Sequence, residues 1–135
     1  MKIINKPIPS VDGKGLMLGR PAYTDDLADK SSLIVKVLRS PHAYAKIVSI
    51  NCEQANKLEG VEIVLTHKDF KRNAFTRAGQ GYPEPSPHDK FVLDEYVRHV
   101  GDEVCCVAAR TEAIANQALQ LIEVEYEVLE PVLDF

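Results

Sequence analysis

Residues 103–128 read EVCCVAA (103–109), RTEAIANQALQ (110–120) and LIEVEYEV (121–128), and this run decides the fold. The first piece is apolar at almost every position, so it predicts a strand covered on both faces. Thr111 is an N-cap in front of a helix from Glu112 to about Leu121, because Ala115, Ala118, Leu119 and Ile122 recur at i, i+3, i+4 and i+7. The period then changes from 3.6 to 2. Ile122, Val124, Tyr126 and Val128 alternate with Glu123, Glu125 and Glu127, which predicts a strand with one wet face, ended by Pro131.

The same pattern appears upstream. Leu33 to Leu38 (LIVKVL) is rich in β-branched residues and predicts a central strand; Ala45 to Ile50 predicts a second strand after the Pro41 turn. Asn51 with Gln54 three residues later suits a capping box for a helix over about 52–59, with Ala55 and Leu58 on its inner face. Gly60 stands where a left-handed residue is wanted, and Val61 to Leu65 is a third strand. Pro7, Pro9 and the glycines at 13, 15 and 19 predict an extended, turn-rich arm over 1–18 that needs a surface to lie on. From Lys71 to Lys90, Gly79, Gly81, Pro83, Pro85 and Pro87 break all periodicity and predict a long irregular loop. The class is α+β, with two helices, and 1–135 is the size of one domain.

Composition narrows the function. A chain of 135 residues with 45% apolar and 27% charged residues is globular, and its net charge of −4, with Lys and Arg scattered, gives no basic face for nucleic acid. The apolar runs are far too short for a spanning helix, and MKIINKPIPS has no apolar signal core, so a cytoplasmic chain without a membrane partner is expected. Cys52, Cys105 and Cys106 lack any metal or disulfide spacing; as strand neighbours, Cys105 and Cys106 point to opposite faces and read as small buried hydrophobes.

No self-sufficient active site is visible. Gly79-Gln80-Gly81 begins like a dinucleotide fingerprint, but Glu84 replaces the third glycine and Pro83 forbids the helix; Gly13-Lys14-Gly15 lacks the ending of a P-loop. His42, His67, His88 and His99 have no His or Cys at i+3 or i+4, so they form no metal pair. His42, at a strand end, is the one best placed for chemistry, although a turn histidine bonding backbone is the simpler reading. Asp25-Asp26 and Asp94-Glu95 could be acid and base pairs, but adjacent acids read as solvated turns. Glu123, Glu125 and Glu127 need water or a cationic partner to screen them. The tyrosines, including Tyr44, Tyr82, Tyr96 and Tyr126, show no stacking period. No catalytic, cofactor-binding or metal-ligating residue is therefore expected in this chain.

Three stretches carry a resemblance: GRPAYTDD (Gly19 to Asp26), RSPHAYAKI (Arg39 to Ile47) and Tyr96 to Phe135, with LEGVEIVLTHKDF between them. Together they resemble the α/β hammerhead domain that opens the molybdenum-binding subunit of the xanthine dehydrogenase and aldehyde oxidase family, the molybdenum hydroxylases. Gly19, Tyr23 and Asp26 match a Gly-x-Ala-x-Tyr-x-x-Asp segment, with Pro21 in place of Ala; Tyr44 replaces the second His of Arg-Ser-Pro-His-Ala-His-Ala. The resemblance implies bent, mixed or antiparallel strands with two helices, packed beside cofactor-binding domains. It implies a parent oxidoreductase that hydroxylates a purine, another heterocycle or an aldehyde, with molybdopterin-molybdenum, and with 2Fe-2S and FAD on other domains or subunits. The family's cofactor and catalytic residues come from beyond this domain, so the chain is expected to bind none of these groups and to be inactive alone. The ending Pro131 to Phe135, without a polar tail, favours a fragment or split gene over a freestanding binding or assembly module. The remaining domains of the molybdenum subunit and the iron-sulfur and FAD subunits are the expected partners, and an exposed interface predicts homo-oligomers in isolation.

Overall fold

The computed structural model describes residues 4–20, 23–77 and 87–134. Pro21, Tyr82 and Gly79-Gln80-Gly81 lie outside them. The chain divides into two compact units, residues 1–32 and 33–135.

In the first unit, the arm expected over 1–18 to be extended and turn-rich contains a five-residue helix in its glycine-punctuated part, α1 (Gly13–Met17), and a second short helix follows, α2 (Thr24–Leu27). Glycine at 13 and 15 disfavours helix but does not forbid it, and Leu16 N–H reaches Asp12 C=O at 3.0 Å to close the turn. The Tyr23 and Asp26 of the resemblance are a helix start: Asp26 Oδ2 accepts from Tyr23 N–H at 3.2 Å. No described residue of this unit is buried, and Val11, Met17 and Leu27 are fully open to solvent.

The second unit holds β1 (Ile34–Arg39), β2 (Ala45–Asn51), α3 (Glu53–Lys57), β3 (Val61–Thr66), β4 (Tyr96–Val97), β5 (Glu103–Ala109), α4 (Glu112–Gln120) and β6 (Glu123–Val128). They form two three-stranded sheets, ordered β1-β5-β3 and β4-β2-β6, and every pairing is antiparallel. The expected central strand, β1, is an edge strand. The centre belongs to β5, whose side chains are buried or half-buried throughout, while Ile34 and Val35 of β1 stand exposed. Apolar sequence alone does not separate centre from edge; apolar residues on both faces do.

Helix α4 lies on one face of the β1-β5-β3 sheet, where Ala115 and Ala118 bury fully against Val64, Cys105, Val107 and Ala109. Thr111 caps it as expected, its hydroxyl accepting from Ile114 N–H at 3.3 Å. The capping box expected at Asn51 does not form. Cys52 is the N-cap of α3, and Asn51, the last residue of β2, accepts from Glu53 N–H at 3.1 Å instead, since the strand pairing already fixes its backbone. Leu38, Ile50 and Val124 join this core to that of the other sheet, built from Ala45, Ile47, Val97 and Val104. No helix among the described residues is long and apolar enough to cross a membrane.

Candidate functional site

The chemistry-bearing residues gather where β1 ends and β5 begins. Ser40, buried at the end of β1, donates its N–H to Asp102 C=O at 2.9 Å and accepts from Gly101 N–H at 2.8 Å. Gly101 has φ +88°, a backbone state that L side chains resist. Arg39 Nη1 donates to Gly101 C=O at 2.7 Å. Arg39-Ser40-Pro41-His42 and Gly101-Asp102-Glu103, which lie in two of the stretches that carry the resemblance, are therefore the two halves of one junction.

Within it, His42 behaves as a turn residue. Its N–H donates to Ser40 Oγ at 3.0 Å, and its ring meets Tyr126 edge-on at 4.9 Å between centroids. Burial pushes the Tyr126 phenol up, so it is no base at neutral pH. No acid is seen to orient the His42 ring among the described residues.

Asp94 departs from the solvated turn expected of it. It is buried, accepts from Arg98 Nη1 at 2.6 Å and Glu95 N–H at 2.8 Å, and forms an ion pair with Arg72 Nη1 at 3.1 Å. Arg72 also reaches Glu95 at 3.3 Å and stacks on Phe91, 4.2 Å from the ring centroid. Asp102, also buried, accepts from Arg98 N–H at 2.8 Å, with His99 Nε2 at 3.4 Å and Lys90 Nζ at 3.7 Å. Burial acts to raise Glu103, but the bond and charge of Arg77, with Nη2 at 2.9 Å, together with hydrogen bonding from the Glu103 backbone and Asp102, outweigh it and hold the carboxyl below its ordinary value.

The histidines are not brought together. His67 Nδ1 is buried without a hydrogen-bond partner, and burial, with the Lys68 cation adding to it, lowers its pKa; His88 is exposed on the long loop. Among the described residues no group of three His, Cys, Asp or Glu could hold a metal ion. The cysteines stand as their alternation requires: Cys105 is fully buried, its thiol pushed up to about 12 by burial, and Cys106 is half-buried on the opposite face. The glutamate stripe is screened from within the chain. Asn51 Nδ2 donates to Glu123 at 3.2 Å, Ser49 Oγ to Glu125 at 3.1 Å, and Lys46 lies opposite Glu127. The sequence reading singles out none of this network: Gly101-Asp102-Glu103 lies inside the stretch Tyr96 to Phe135 without a separate signal, and the Arg72 and Arg98 pairs carry no motif. Because these donors and acceptors are spent on one another, this network offers no free set that fits a molybdopterin.

Residues 18–130 match the family described as aldehyde oxidase and xanthine dehydrogenase, a/b hammerhead domain. The chain belongs to that family. A probable hypoxanthine oxidase of Escherichia coli O157:H7 is 42% identical over 133 residues, which cover 98% of this chain and 14% of that protein. A xanthine dehydrogenase molybdenum-binding subunit from the same organism is 39% identical, covering 91% of this chain and 17% of its own length. The hammerhead also aligns with the crystal structure of quinoline 2-oxidoreductase from Pseudomonas putida 86, at TM-score 0.78 and 35% identity, over 91% of this chain and 16% of that one. The chain thus spans about one-sixth of the molybdenum-binding subunit it matches.

Proposed function

We propose that this hammerhead serves as a scaffold and interface domain of a molybdenum hydroxylase, and contributes no reacting group of its own. The observation that carries this reading is the junction: the residues of the two family motifs, Ser40, Gly101 and Asp102, are engaged with each other and with the fold. Their work is to hold β1 to β5 and to seat the second sheet beside the first. The parent enzyme, in this reading, hydroxylates a purine, as the names of the xanthine dehydrogenase and hypoxanthine oxidase relatives suggest, or another heterocycle or an aldehyde. Its molybdopterin-molybdenum sits on other domains of the molybdenum subunit, with 2Fe-2S and FAD on further domains or subunits.

The purified 135-residue chain tests the proposal directly. Elemental analysis is expected to find no stoichiometric molybdenum or iron, the spectrum no flavin, and an assay with xanthine or hypoxanthine no turnover. Molybdenum or flavin retained at one equivalent through gel filtration would overturn it.

A further inference from the structure

The two sheets differ in one respect that the hammerhead's own core does not explain. On the β4-β2-β6 sheet, the outward residues include Lys46, Ser49, Asn51 and the three glutamates, a largely polar face, with Val48 at the β2 irregularity 53% exposed. The β1-β5-β3 sheet has no such face. Register puts Leu38, Val64, Cys105 and Val107 on the side covered by the helices, and Val35, Val37, Ile63, Leu65, Cys106 and Ala108 on the other. That second side carries no charge at these six positions, yet Val35 is 58% and Ile63 46% exposed, with the other four half-buried. A strand apolar on both faces is the pattern of a strand covered on both faces.

We infer that this open face is where the remainder of the same polypeptide docks, through an apolar layer of aliphatic side chains from the molybdenum subunit; the inference rests on the reading proposed above. Size selects this occupant. Three strands about 4.8 Å apart, five residues long, present roughly 200 Å². A stable complex between separate chains buries about 800 Å² on each partner, so a second copy or a detached subunit would not be held by this face alone. A tethered domain faces a far weaker demand, since its effective concentration is about millimolar without any further contact. The relatives supply the tether: the matching segment is 14% and 17% of their chains.

Cys106 lies within the face and reports on it, while Cys105 on the covered side is an internal control. The test compares the 135-residue chain with the product of the native gene, purified and weighed by mass spectrometry, by timing maleimide modification of each cysteine through peptide mapping. A product several times longer than 135 residues, with Cys106 modified at least tenfold more slowly than in the 135-residue chain, is the expected result. A long product in which Cys106 reacts equally fast in both overturns the docking face and leaves the proposed function standing. A native product of only 135 residues overturns the proposed function, and this occupant with it; a stable dimer of that product protecting Cys106 would assign the face to a second copy. As a check independent of the thiol, Ile63→Glu should leave the melting temperature of the 135-residue chain within about 2 °C and lower that of the long product by several degrees; equal shifts in both would count against the inference.

Discussion

Replacing Gly60 by alanine should cost more than replacing Gly101, and the difference has a single cause. Both glycines hold a left-handed backbone, at φ +89° and +88°. An L residue there costs about 1–2 kcal/mol, partly offset by about 0.4–1 kcal/mol from the stiffer unfolded chain, which leaves about 1 kcal/mol. At Gly101 a Cβ meets nothing within 4 Å, so that figure stands alone. At Gly60 a Cβ would lie 2.7 Å from Ile114 Cδ1, the side chain by which α4 closes over the β3 turn. Overpacking costs about 1–3 kcal/mol, towards the lower end here because the opposing atom is the tip of a flexible side chain, so Gly60→Ala should lose about 2–3 kcal/mol. Ile114→Val removes that one atom and keeps Cγ1 and Cγ2, which lie at ordinary contact distances of 3.8 and 3.6 Å from the new Cβ. In the Ile114→Val background, Gly60→Ala should therefore cost only about 1 kcal/mol, a coupling of about 1–2 kcal/mol in a double-mutant cycle. Urea unfolding followed by far-UV circular dichroism measures all four proteins. Equal costs for Gly60→Ala in both backgrounds would remove the packing term, and a neutral Gly101→Ala would refute the backbone argument altogether.

Thr111→Ala removes the α4 cap and should lower stability by about 1 kcal/mol, or about 4 °C in melting temperature, with Thr111→Asn restoring most of it. Asp94→Ala should cost about 2–3 kcal/mol by the same measurement, because it breaks charge-assisted bonds to Arg72 and Arg98, but less than a fully buried pair because both arginines are partly solvated. Asp69 is held low by the Thr66 N–H and hydroxyl, and Glu103 by Arg77 against its burial; a depressed carboxylate contributes stability above its unfolded value and loses it as pH falls. His67, lowered chiefly by burial, has the same sign, so melting temperature should be level from pH 8 to about 7, decline slightly below about 6.5 and drop steeply below about 4. In the native chain at pH 8, Cys105, with its thiol near 12, should resist a thiol reagent that modifies all three cysteines after unfolding.

The elements most legible in the sequence were those whose period is set by one dry face. Thr111 to Val128 announced its cap, its helix and its alternating strand because each buries one side and wets the other. The β1 assignment failed in position, as LIVKVL has the composition of a central strand whichever neighbours it finds; only pairing with β5 makes it an edge. Asn51 failed as a cap for a related reason, since a residue can serve a strand end or a helix start with its backbone but not both. The buried state of Asp94 was invisible because its partners lie at Arg72 and Arg98, on opposite sides of it in the chain, and ion pairs at such separations leave no periodic trace.

The motif residues acquire their meaning from that same distinction between local and distant partners. Ser40 and Asp102 are 62 residues apart, yet each satisfies the other's buried backbone, and a buried peptide group left unpaired costs about 1–3 kcal/mol. A serine at the end of β1 and a Gly-Asp pair before β5 are thus demands of one junction. Gly101 must turn in the left-handed region so that its N–H can reach Ser40 C=O, and Asp102 must be short and charged to collect Arg98 N–H while Lys90 and His99 stand beside it. In the proposed reading, chemistry is brought by whatever packs against this fold. Within the second unit, the open apolar face of the β1-β5-β3 sheet, not the polar junction, is where the inferred docking gives the rest of an enzyme something to hold.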